Sequence, residues 1–305
     1  MQQVPGPVLP DLSIRQLEYL VAVADTRTWA AAAESVGVSP SALSQGLAEL
    51  ERRLGIELFD RVGRRRVLRD AAGPVLAHAR QVLGLTGDLV RWADRERSGL
   101  AGRVRVGMID AAATIHHVDQ LRRFRRERPD VDLHLTVAPS GELLEQLAAG
   151  RIDLAIAVQP GDADPAIATQ PMLSEELWVY APPGAEPGSP DSWGPWVLFP
   201  EGSHTRAVIA EELVAVGAHV DVIAESHQPD VLAEMVQLGL GWTVLPVTQA
   251  ERNDPPLRPV RALTERTLVA AWRRGSVRPP ALDELIDLLS PGQAGGVSPA
   301  STRRN

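Results

Sequence analysis

The chain of 305 residues contains no cysteine, which excludes disulfide bonds, thiol catalysis and metal sites built on thiolates. It also contains no lysine, so all 31 of its basic residues are arginine. No stretch approaches the ~20 consecutive apolar residues of a membrane span. The first residues lack the basic and then apolar pattern of a signal peptide, and we therefore expect a cytoplasmic protein without membrane contact.

The charge is distributed unevenly along the chain. The formal net charge is −8, but residues 1–100 hold 13 arginines against 12 acidic residues, a balance of +1. Residues 101–305 hold 18 arginines against 27 acidic residues, a balance of −9. Any role in binding nucleic acid therefore belongs to the first part of the chain.

The sequence pattern separates the chain into three segments and a tail. Residues 11–70 contain short helical patterns and end in an arginine cluster, whereas residues 71–98 read as one longer helix. Residues 103–290 alternate strands with helices, which predicts an α/β fold. Residues 291–305 are rich in proline, glycine and serine, and we expect them to form a disordered tail.

Within the third segment, the pattern predicts two lobes with a cleft between them. The short apolar strand "RIDLAIAV" is typical of a parallel sheet that is covered on both faces. It is followed by the Gly/Asp/Pro-rich sequence "QPGDADPA" at 159–166, which predicts a hinge. We assign lobe I to 103–158 plus 266–290 and lobe II to 159–265.

Three helices with tight turns are predicted near the N-terminus. Thr28 is a predicted N-cap of the second helix, which Gly37 ends. Ser39 is a predicted N-cap of the third helix, and Pro40 takes the first helical position, where its missing N–H costs nothing. A short helix, a turn and a longer helix in this order predict a helix-turn-helix.

The third helix, in "VSPSALSQGLAELERRLG", has an outer face with almost no charge. Its leucines fall on one side at helical spacing, while the opposite face carries Ser41, Ser44, Gln45, Ala48 and Arg52. Small hydroxyls and an amide supply donors and acceptors without bulk, which is what base edges in a major groove require. The pattern favours a base-reading helix over an ordinary polar surface.

The segment "LFDRVGRRRVLRD" at 58–70 predicts a hairpin with arginines at its turn. Beside a helix-turn-helix, such a hairpin is a wing that places arginines on phosphates or in a minor groove, although a charge run alone is usually a solvated turn. The clustered arginines are Arg61, Arg64, Arg65 and Arg66.

The helix predicted at 71–98 carries an apolar seam. Leu76, Leu83 and Val90 recur at a spacing of seven residues, which predicts contact with a partner helix. Packing of this helix on its own domain is the alternative. The further apolar residues beside the seam are Leu85, Leu89 and Trp92.

The run from "LSIRQLEYLVAVAD" to "VLRDAAG" resembles the winged helix-turn-helix of LysR-type transcriptional regulators. The segments "FRRERPDVDLHL", "LLEQLAAGRIDLAIA" and "LAEMVQLGLGWTVLP" look like landmarks of that family's effector domain, so the resemblance extends to about residue 290. It implies an α/β, two-lobed effector domain like that of periplasmic binding proteins. It also implies a homodimer through the 71–98 helices and, commonly, a dimer of dimers.

The resemblance assigns roles to individual residues of the N-terminal segment. Gly46 stands where a glutamine or arginine is often found, so one DNA contact is expected to be missing, and Trp29 replaces the usual phenylalanine in what we interpret as core packing. The base contacts implied by position are Pro40, Ser41, Ser44 and Gln45, and the backbone contacts are Thr28, Ser39, Arg52 and the four wing arginines.

Ligands of a two-lobed α/β domain bind where the carboxyl ends of strands meet helix N-termini. Ser140 and Thr205 have the alternative role of plain N-caps, and a metal pair of His204 and His227 is disfavoured because neither lies in a ligand motif. Asp110 argues against a simple small anion and suits an amine, a hydroxyl-rich ligand or a zwitterion. The predicted effector-binding residues are Asp110, Ala112, Thr114, Ser140, Ser203, His204, Thr205, Ser226 and His227.

The sequence thus predicts a ligand-responsive regulator that binds double-stranded DNA at an inverted repeat and takes a small-molecule effector. The alternative is a cytoplasmic small-molecule-binding protein or an enzyme that uses the same cleft. The sequence contains no nucleophile elbow, zinc-helix motif or Gly-rich phosphate loop, so we expect no enzymatic activity, cofactor or metal.

Overall fold

The computed structural model describes residues 11–62, 65–98, 102–162 and 164–290. Each of its first three helices begins directly after a residue with a hydroxyl side chain. Ser13, Thr28 and Ser39 each accept a hydrogen bond from the backbone N–H three residues on, at 3.2 Å. These contacts satisfy N–H groups that have no partner within the helix. The helices are α1 (Ile14–Asp25), α2 (Trp29–Ser35) and α3 (Pro40–Leu54).

The three helices pack around a leucine core as the periodicity predicts. Leu43, Leu47 and Leu50 of α3 are fully buried against Leu20 of α1, whereas Leu54 is only partly buried. Two antiparallel strands follow, in the predicted position of the wing: β1 (Phe59–Val62) and β2 (Arg65–Leu68). The tip of this hairpin, with Arg64, lies outside the described residues, as does the tail 291–305.

Gly46 lies against the ring of Tyr19. A Cβ atom added at Gly46 would be 2.7 Å from two ring carbons of Tyr19, which is closer than real side chains approach each other. Glycine on α3 therefore lets the aromatic ring of α1 pack directly on the helix backbone. Where the sequence indicates only a missing DNA contact, the structure supplies a packing reason.

The long helix α4 (Gly73–Ser98) uses the two ends of its apolar seam differently. Leu76 and Leu83 pack against the N-terminal core, so the alternative of packing on its own domain holds for the first part of the helix. Val90 is 55% exposed, so the apolar surface that could meet a partner helix lies toward the C-terminal end. The other exposed apolar residues there are Leu85, Leu89 and Trp92.

The chain divides into two compact units, one ending at Ala93 and including residues 148–150, the other comprising residues 94–147 and 151 onward. The second unit contains a six-stranded sheet. Its strands are β3 (Arg103–Met108), β4 (Asp132–Val137), β5 (Leu154–Val158), β6 (Ile167–Ala181), β9 (Thr243–Pro246) and β10 (Arg258–Arg273). They lie in the order β4-β3-β5-β10-β6-β9, with β3, β4 and β5 parallel, which confirms the predicted α/β class.

Two strands of 15 and 16 residues, β6 and β10, run antiparallel through both lobes. The sequence predicts only their apolar parts, "EELWVYA" and "RTLVAAWRR", because exposed polar residues and Pro259 interrupt the pattern elsewhere. Ile167 and Met172, assigned from sequence to lobe II, lie in the core of lobe I. The boundary between the lobes along β6 therefore lies at about Leu177, the first β6 residue in the core of lobe II, rather than at the predicted 159–166 hinge.

The helices of the second unit cover this sheet and a second, two-stranded one. The small sheet pairs β7 (Trp196–Leu198) with β8 (Val222–Glu225) in parallel. Among the described residues, no helix combines the length and the hydropathy needed to cross a bilayer. The helices are α5 (Val118–Glu127), α6 (Ser140–Ala148), α7 (His204–Ala215), α8 (Pro229–Gln237), α9 (Val247–Ala250) and α10 (Pro280–Leu289).

The close approach of Tyr19 to Gly46 is testable by a double-mutant cycle. We expect Gly46→Ala to lower the free energy of unfolding by about 1 kcal/mol, because the steric cost exceeds the gain in helix propensity. In a Tyr19→Ala background the same change should instead raise it by about 1 kcal/mol, since only the propensity gain remains. Urea denaturation measures both, and an equal effect in the two backgrounds would contradict the packing explanation.

Candidate functional site

The outer face of α3 presents the predicted base-reading side chains to solvent. Ser41 and Gln45 are exposed, and Ser44 is partly exposed. The hydroxyls of Ser39 and Ser41 lie 2.9 Å apart in a hydrogen bond, while the Ser39 hydroxyl also caps the helix. The first turn of α3 is therefore held in place by the chain itself, and the exposed donors and acceptors of the next turn stay available.

Arg52, a predicted backbone contact, is held by a carboxylate one turn away. Its Nε donates to Glu49 Oε2 at 2.7 Å, and Arg53 donates to the other oxygen of the same carboxylate. The hydrogen bonds from Arg52 and Arg53 lower the pKa of Glu49 to about 2. Because such exposed pairs are weak, a phosphate can take over the Arg52 guanidinium at little cost.

The wing is fastened to the helix-turn-helix by aromatic contacts. Trp29 meets Phe59 of β1 edge to face with 5.2 Å between ring centroids, and the guanidinium carbon of Arg66 lies 5.5 Å from the centroid of the Trp29 ring. Trp29 thus packs as predicted and also supports one wing arginine by a cation–π contact. For Arg61 and Arg65 the structure describes only the backbone, in β1 and β2.

A cavity of about 450 Å³ lies between the two lobes of the second unit. Its apolar residues come mainly from the ends of β3, β4 and β5 and from Phe199. Its polar residues come from the first turns of α6, α7 and α8 and the loops before them, from α9 and from β10. This is the place that an α/β domain offers to a ligand. The predicted effector residues that line it are Asp110, Ser140, Ser203, Thr205 and His227.

The other four predicted effector residues lie outside the cavity lining. Ala112 is buried in the core of lobe I, and Thr114 donates to the carbonyl of Asp110 at 3.0 Å. Ser226 accepts from the backbone N–H of Gln228. The Nδ1 atom of His204 is 3.3 Å from the carbonyl oxygen of Val158, so this side chain connects α7 to the end of β5.

Ser140 and Thr205 are buried polar residues with tertiary partners, and the alternative role of plain N-cap is wrong for both. The Ser140 hydroxyl accepts from the N–H of Val158 at 3.1 Å, which fixes the end of β5 beside the cavity. Thr205 accepts from Arg266 at 3.0 Å, and α7 is preceded by Ser203. Each hydroxyl thus accepts one hydrogen bond from the framework of the cavity and keeps its O–H donor for another partner.

Arg266 and Glu175 form a buried ion pair that sequence reasoning missed. Nε and Nη2 of Arg266 lie 2.8 and 2.7 Å from Glu175 Oε2, and both side chains are at least 96% buried. The other carboxylate oxygen, Oε1, is 2.6 Å from His116 Nε2 and accepts from Thr248 at 3.2 Å. Arg266 also lines the cavity, so the pair forms part of its inner wall.

Burial raises the pKa of Glu175, but the hydrogen bond from His116 and the charge of Arg266 outweigh it and leave this pKa at about 2. The carboxylate is therefore ionised at neutral pH, and its charge cancels that of Arg266. The only available signals in the sequence are that Glu175 and Arg266 each begin a predicted strand. Their pairing depends on the register of β6 with β10, which places Glu176 and Glu265 opposite each other beside them.

His117 is buried next to His116, and neither of its ring nitrogens has a hydrogen-bond partner among the described residues. Burial, together with the charge of His116, lowers the pKa of His117 from 6.5 to about 4. The described residues contain no group of three or more histidine or acidic side chains arranged to hold a metal ion. His204 and His227 accordingly have separate surroundings, one at a carbonyl and one at the cavity.

Comparison with known proteins identifies both parts of the chain. The family model described as bacterial regulatory helix-turn-helix protein, lysR family, matches residues 14–72. The model described as LysR substrate binding domain matches residues 97–293, which is well over half of the chain. The cavity and the exposed face of α3 thus lie in two segments that each match this family.

Curated relatives cover most of the chain. The regulator PecT of Dickeya dadantii is 31% identical over 259 residues, which is 85% of this chain and 78% of PecT. The activator IlvY of Salmonella typhimurium is 27% identical over 264 residues, which is 84% of this chain and 90% of IlvY.

Solved structures show the same fold at lower identity. A full-length OxyR variant from Pseudomonas aeruginosa superposes with a TM-score of 0.60 at 24% identity, covering 91% of this chain and 94% of OxyR. CbnR in complex with its target DNA gives a TM-score of 0.56 at 20% identity, covering 91% of this chain and 99% of CbnR.

The unpartnered ring of His117 predicts a pH dependence of stability. Its pKa is lowered in the folded protein, so between pH 6.5 and about 4 the unfolded chain binds a proton that the folded chain does not. The free energy of unfolding should therefore fall as the pH falls through this window. In His117→Leu this dependence should be weaker by about 1 kcal/mol per pH unit, as measured by urea denaturation.

His134→Leu is the matched control, because His134 lies in the same unit but is exposed. It should leave the pH dependence of the wild-type protein unchanged. Parallel curves for the wild-type protein and His117→Leu would show that the buried ring does not resist protonation.

Proposed function

Because this chain belongs to the LysR family of bacterial transcriptional regulators, we propose that α3 reads an operator sequence and that a small effector in the inter-lobe cavity controls this binding. In this proposal residues 11–70 are the DNA-binding domain, 71–98 the dimerisation helix and 103–290 the effector domain. The protein acts in the cytoplasm, where the DNA is, and it binds its effector without converting it.

The uncharged outer face of α3 is the observation that carries the DNA-reading role. Ser41, Ser44 and Gln45 offer hydroxyl and amide groups to base edges, and Pro40 starts the helix where its ring can touch a thymine methyl group. Thr28, Ser39 and Arg52 are exposed and supply the contacts to phosphates in this proposal. The wing arginines Arg61, Arg64, Arg65 and Arg66 add sequence-independent affinity.

Two copies of this reading surface require a dimer. The exposed apolar residues toward the end of α4, with Val90 at 55% and Leu89 at 57% exposure, form a surface that a second α4 can cover. A two-fold dimer favours an inverted repeat with half-sites about one helical turn or a multiple of it apart. We further propose that pairs of dimers assemble into a tetramer on longer operators.

The effector acts through the cavity by its different affinities for the closure states of the lobes. The strands β6 and β10 pass through both lobes, so a change in closure bends or rotates the same two strands. A ligand that binds one state more tightly shifts the population toward it, and only by that difference. Ser140, Ser203, Thr205 and His227 form the polar wall that such a ligand meets, together with Asp110.

The reading role is tested by removing the base contacts and keeping the phosphate contacts. We expect Ser44→Ala with Gln45→Ala to abolish protection of discrete genomic sites, because the donors and acceptors are gone, while non-specific binding at low salt remains. DNase footprinting over genomic fragments measures this. Ser174→Ala with Gln170→Ala, which removes the same side-chain types from β6, is the matched control and should bind like the wild-type protein. Unchanged protection by the α3 double variant would remove the assignment.

The wing is tested by the salt dependence of affinity. Arg66→Gln should reduce the slope of log affinity against log salt by about 1 per protomer. Without this arginine one phosphate is no longer neutralised on binding, so the DNA releases one counterion fewer. The preferred sequence should stay the same. Arg122→Gln, at an exposed position of α5, is the control and should leave the slope unchanged. Loss of sequence preference in Arg66→Gln would instead make this arginine a base-reading residue.

A further inference from the structure

Four side chains that can carry charge line the inter-lobe cavity: Asp110, Asp230, His227 and Arg266. The positive charge of Arg266 is already neutralised by Glu175, which is ionised and pairs with it through two nitrogens. Apart from His227, the charge that the cavity lining leaves without an ion-pair partner is therefore negative. It comes from two carboxylates contributed by different lobes.

Both carboxylates are available to an occupant. Asp110 and Asp230 are exposed, and within the described ranges neither takes part in an ion pair or a side-chain hydrogen bond. Asp110 follows β3 in lobe I, and Asp230 lies in the first turn of α8 in lobe II. A ligand between the lobes therefore meets one carboxylate from each side.

A second, independent observation points to the same chemistry. Gln249 of α9 lines the cavity and is 96% buried, yet its side-chain Oε1 has no hydrogen-bond partner among the described residues. An amide oxygen can only accept a hydrogen bond, so this atom favours an occupant that carries N–H or O–H donors. A donor-rich ligand offers such groups, whereas an ionised carboxylate or phosphate does not.

Helix N-termini generally favour anions. Whether those near the cavity attract an anionic ligand depends on whether a carboxylate of the protein already lies at each of them. Asp230 already lies in the first turn of α8, and Glu142 lies in the first turn of α6. A carboxylate of the protein itself therefore lies at both helix ends, and because a helix N-terminus carries only a partial positive charge, Asp230 keeps a net negative charge there. The first turn of α7 carries no acidic residue, which leaves room for the carboxylate of a zwitterion.

We propose that the effector is a small organic cation, a primary amine or an ammonium-bearing zwitterion, whose positive group lies between Asp110 and Asp230. This inference rests on the proposed effector role of the cavity and adds the chemical class of the ligand. Such a cation should bind the closed state of the lobes more tightly, because closure brings one carboxylate from each lobe close to its positive group.

The absence of cysteine makes a direct test of the cavity's charge possible. In Ser203→Cys the introduced thiol is the only one in the chain and lies in the cavity wall. We compare its reaction rates with two methanethiosulfonate reagents of similar size, one carrying a trimethylammonium group and one a sulfonate. Ala215→Cys, at an exposed position at the end of α7 outside the cavity lining, gives the reference ratio.

The ratio of cationic to anionic rate should be about tenfold higher at position 203 than at position 215 at low ionic strength. Asp110→Asn with Asp230→Asn should remove most of this excess at position 203 and leave position 215 unchanged. The two single variants should each remove part of it, which covers the case that the double variant does not fold. A ratio at position 203 equal to the reference, or unaffected by any of these variants, would overturn the proposal.

The two modified proteins also separate this inference from the proposed function. The trimethylammonium adduct should change affinity for the operator at least threefold, and the sulfonate adduct should not. A change with the sulfonate adduct alone would overturn the cationic class and keep the cavity as the effector site. No change with either adduct would overturn the effector role of the cavity itself, whatever the rates show.

Discussion

The buried pair of Glu175 and Arg266 is the interaction on which the second unit depends. The two residues face each other across the antiparallel pairing of β6 with β10, the strands that belong to both lobes. Thr205 and Thr248 of lobe II and His116 of lobe I supply the remaining hydrogen bonds. Removing two charges from water costs several kcal/mol per ion, and only a complete set of partners of this kind offsets that cost. The pair therefore specifies how the lobes meet more than it adds to stability.

The same pair determines what the cavity can recognise. An arginine in the wall of a ligand site would normally indicate an anionic ligand, because guanidinium groups match carboxylates and phosphates. Here the carboxylate of Glu175 already pairs with the guanidinium of Arg266. The exposed carboxylates of Asp110 and Asp230 therefore determine the sign of the electrostatic potential in the cavity. The identity of a residue in a site is thus less informative than whether its charge is already paired.

Local features of the fold could be predicted from the sequence, and non-local ones could not. The caps Thr28 and Ser39 act on N–H groups three residues away, so short-range rules locate them. Ser140 and Thr205 satisfy the same rules by position, yet a strand end and a buried arginine take their hydroxyls. No residue close to Ser140 in the sequence indicates that its hydroxyl will accept from the backbone N–H of Val158. The proposed DNA-reading surface can be delimited from the sequence because it lies on one helix and one hairpin, whereas the cavity draws on segments from Ile109 to Arg266.

The segregation of charge along the chain links the two sites. In the proposed DNA-binding role the outer face of α3 carries little charge besides Arg52, so most of the electrostatic attraction to DNA comes from the wing arginines. The acidic excess after residue 100 repels phosphates and so disfavours non-specific binding of DNA by residues 101–305. That excess also raises the local concentration of cations at a cleft whose own free groups are carboxylates. One electrostatic pattern thus directs the N-terminal unit to a polyanion and the cavity of the second unit to a ligand of the opposite charge.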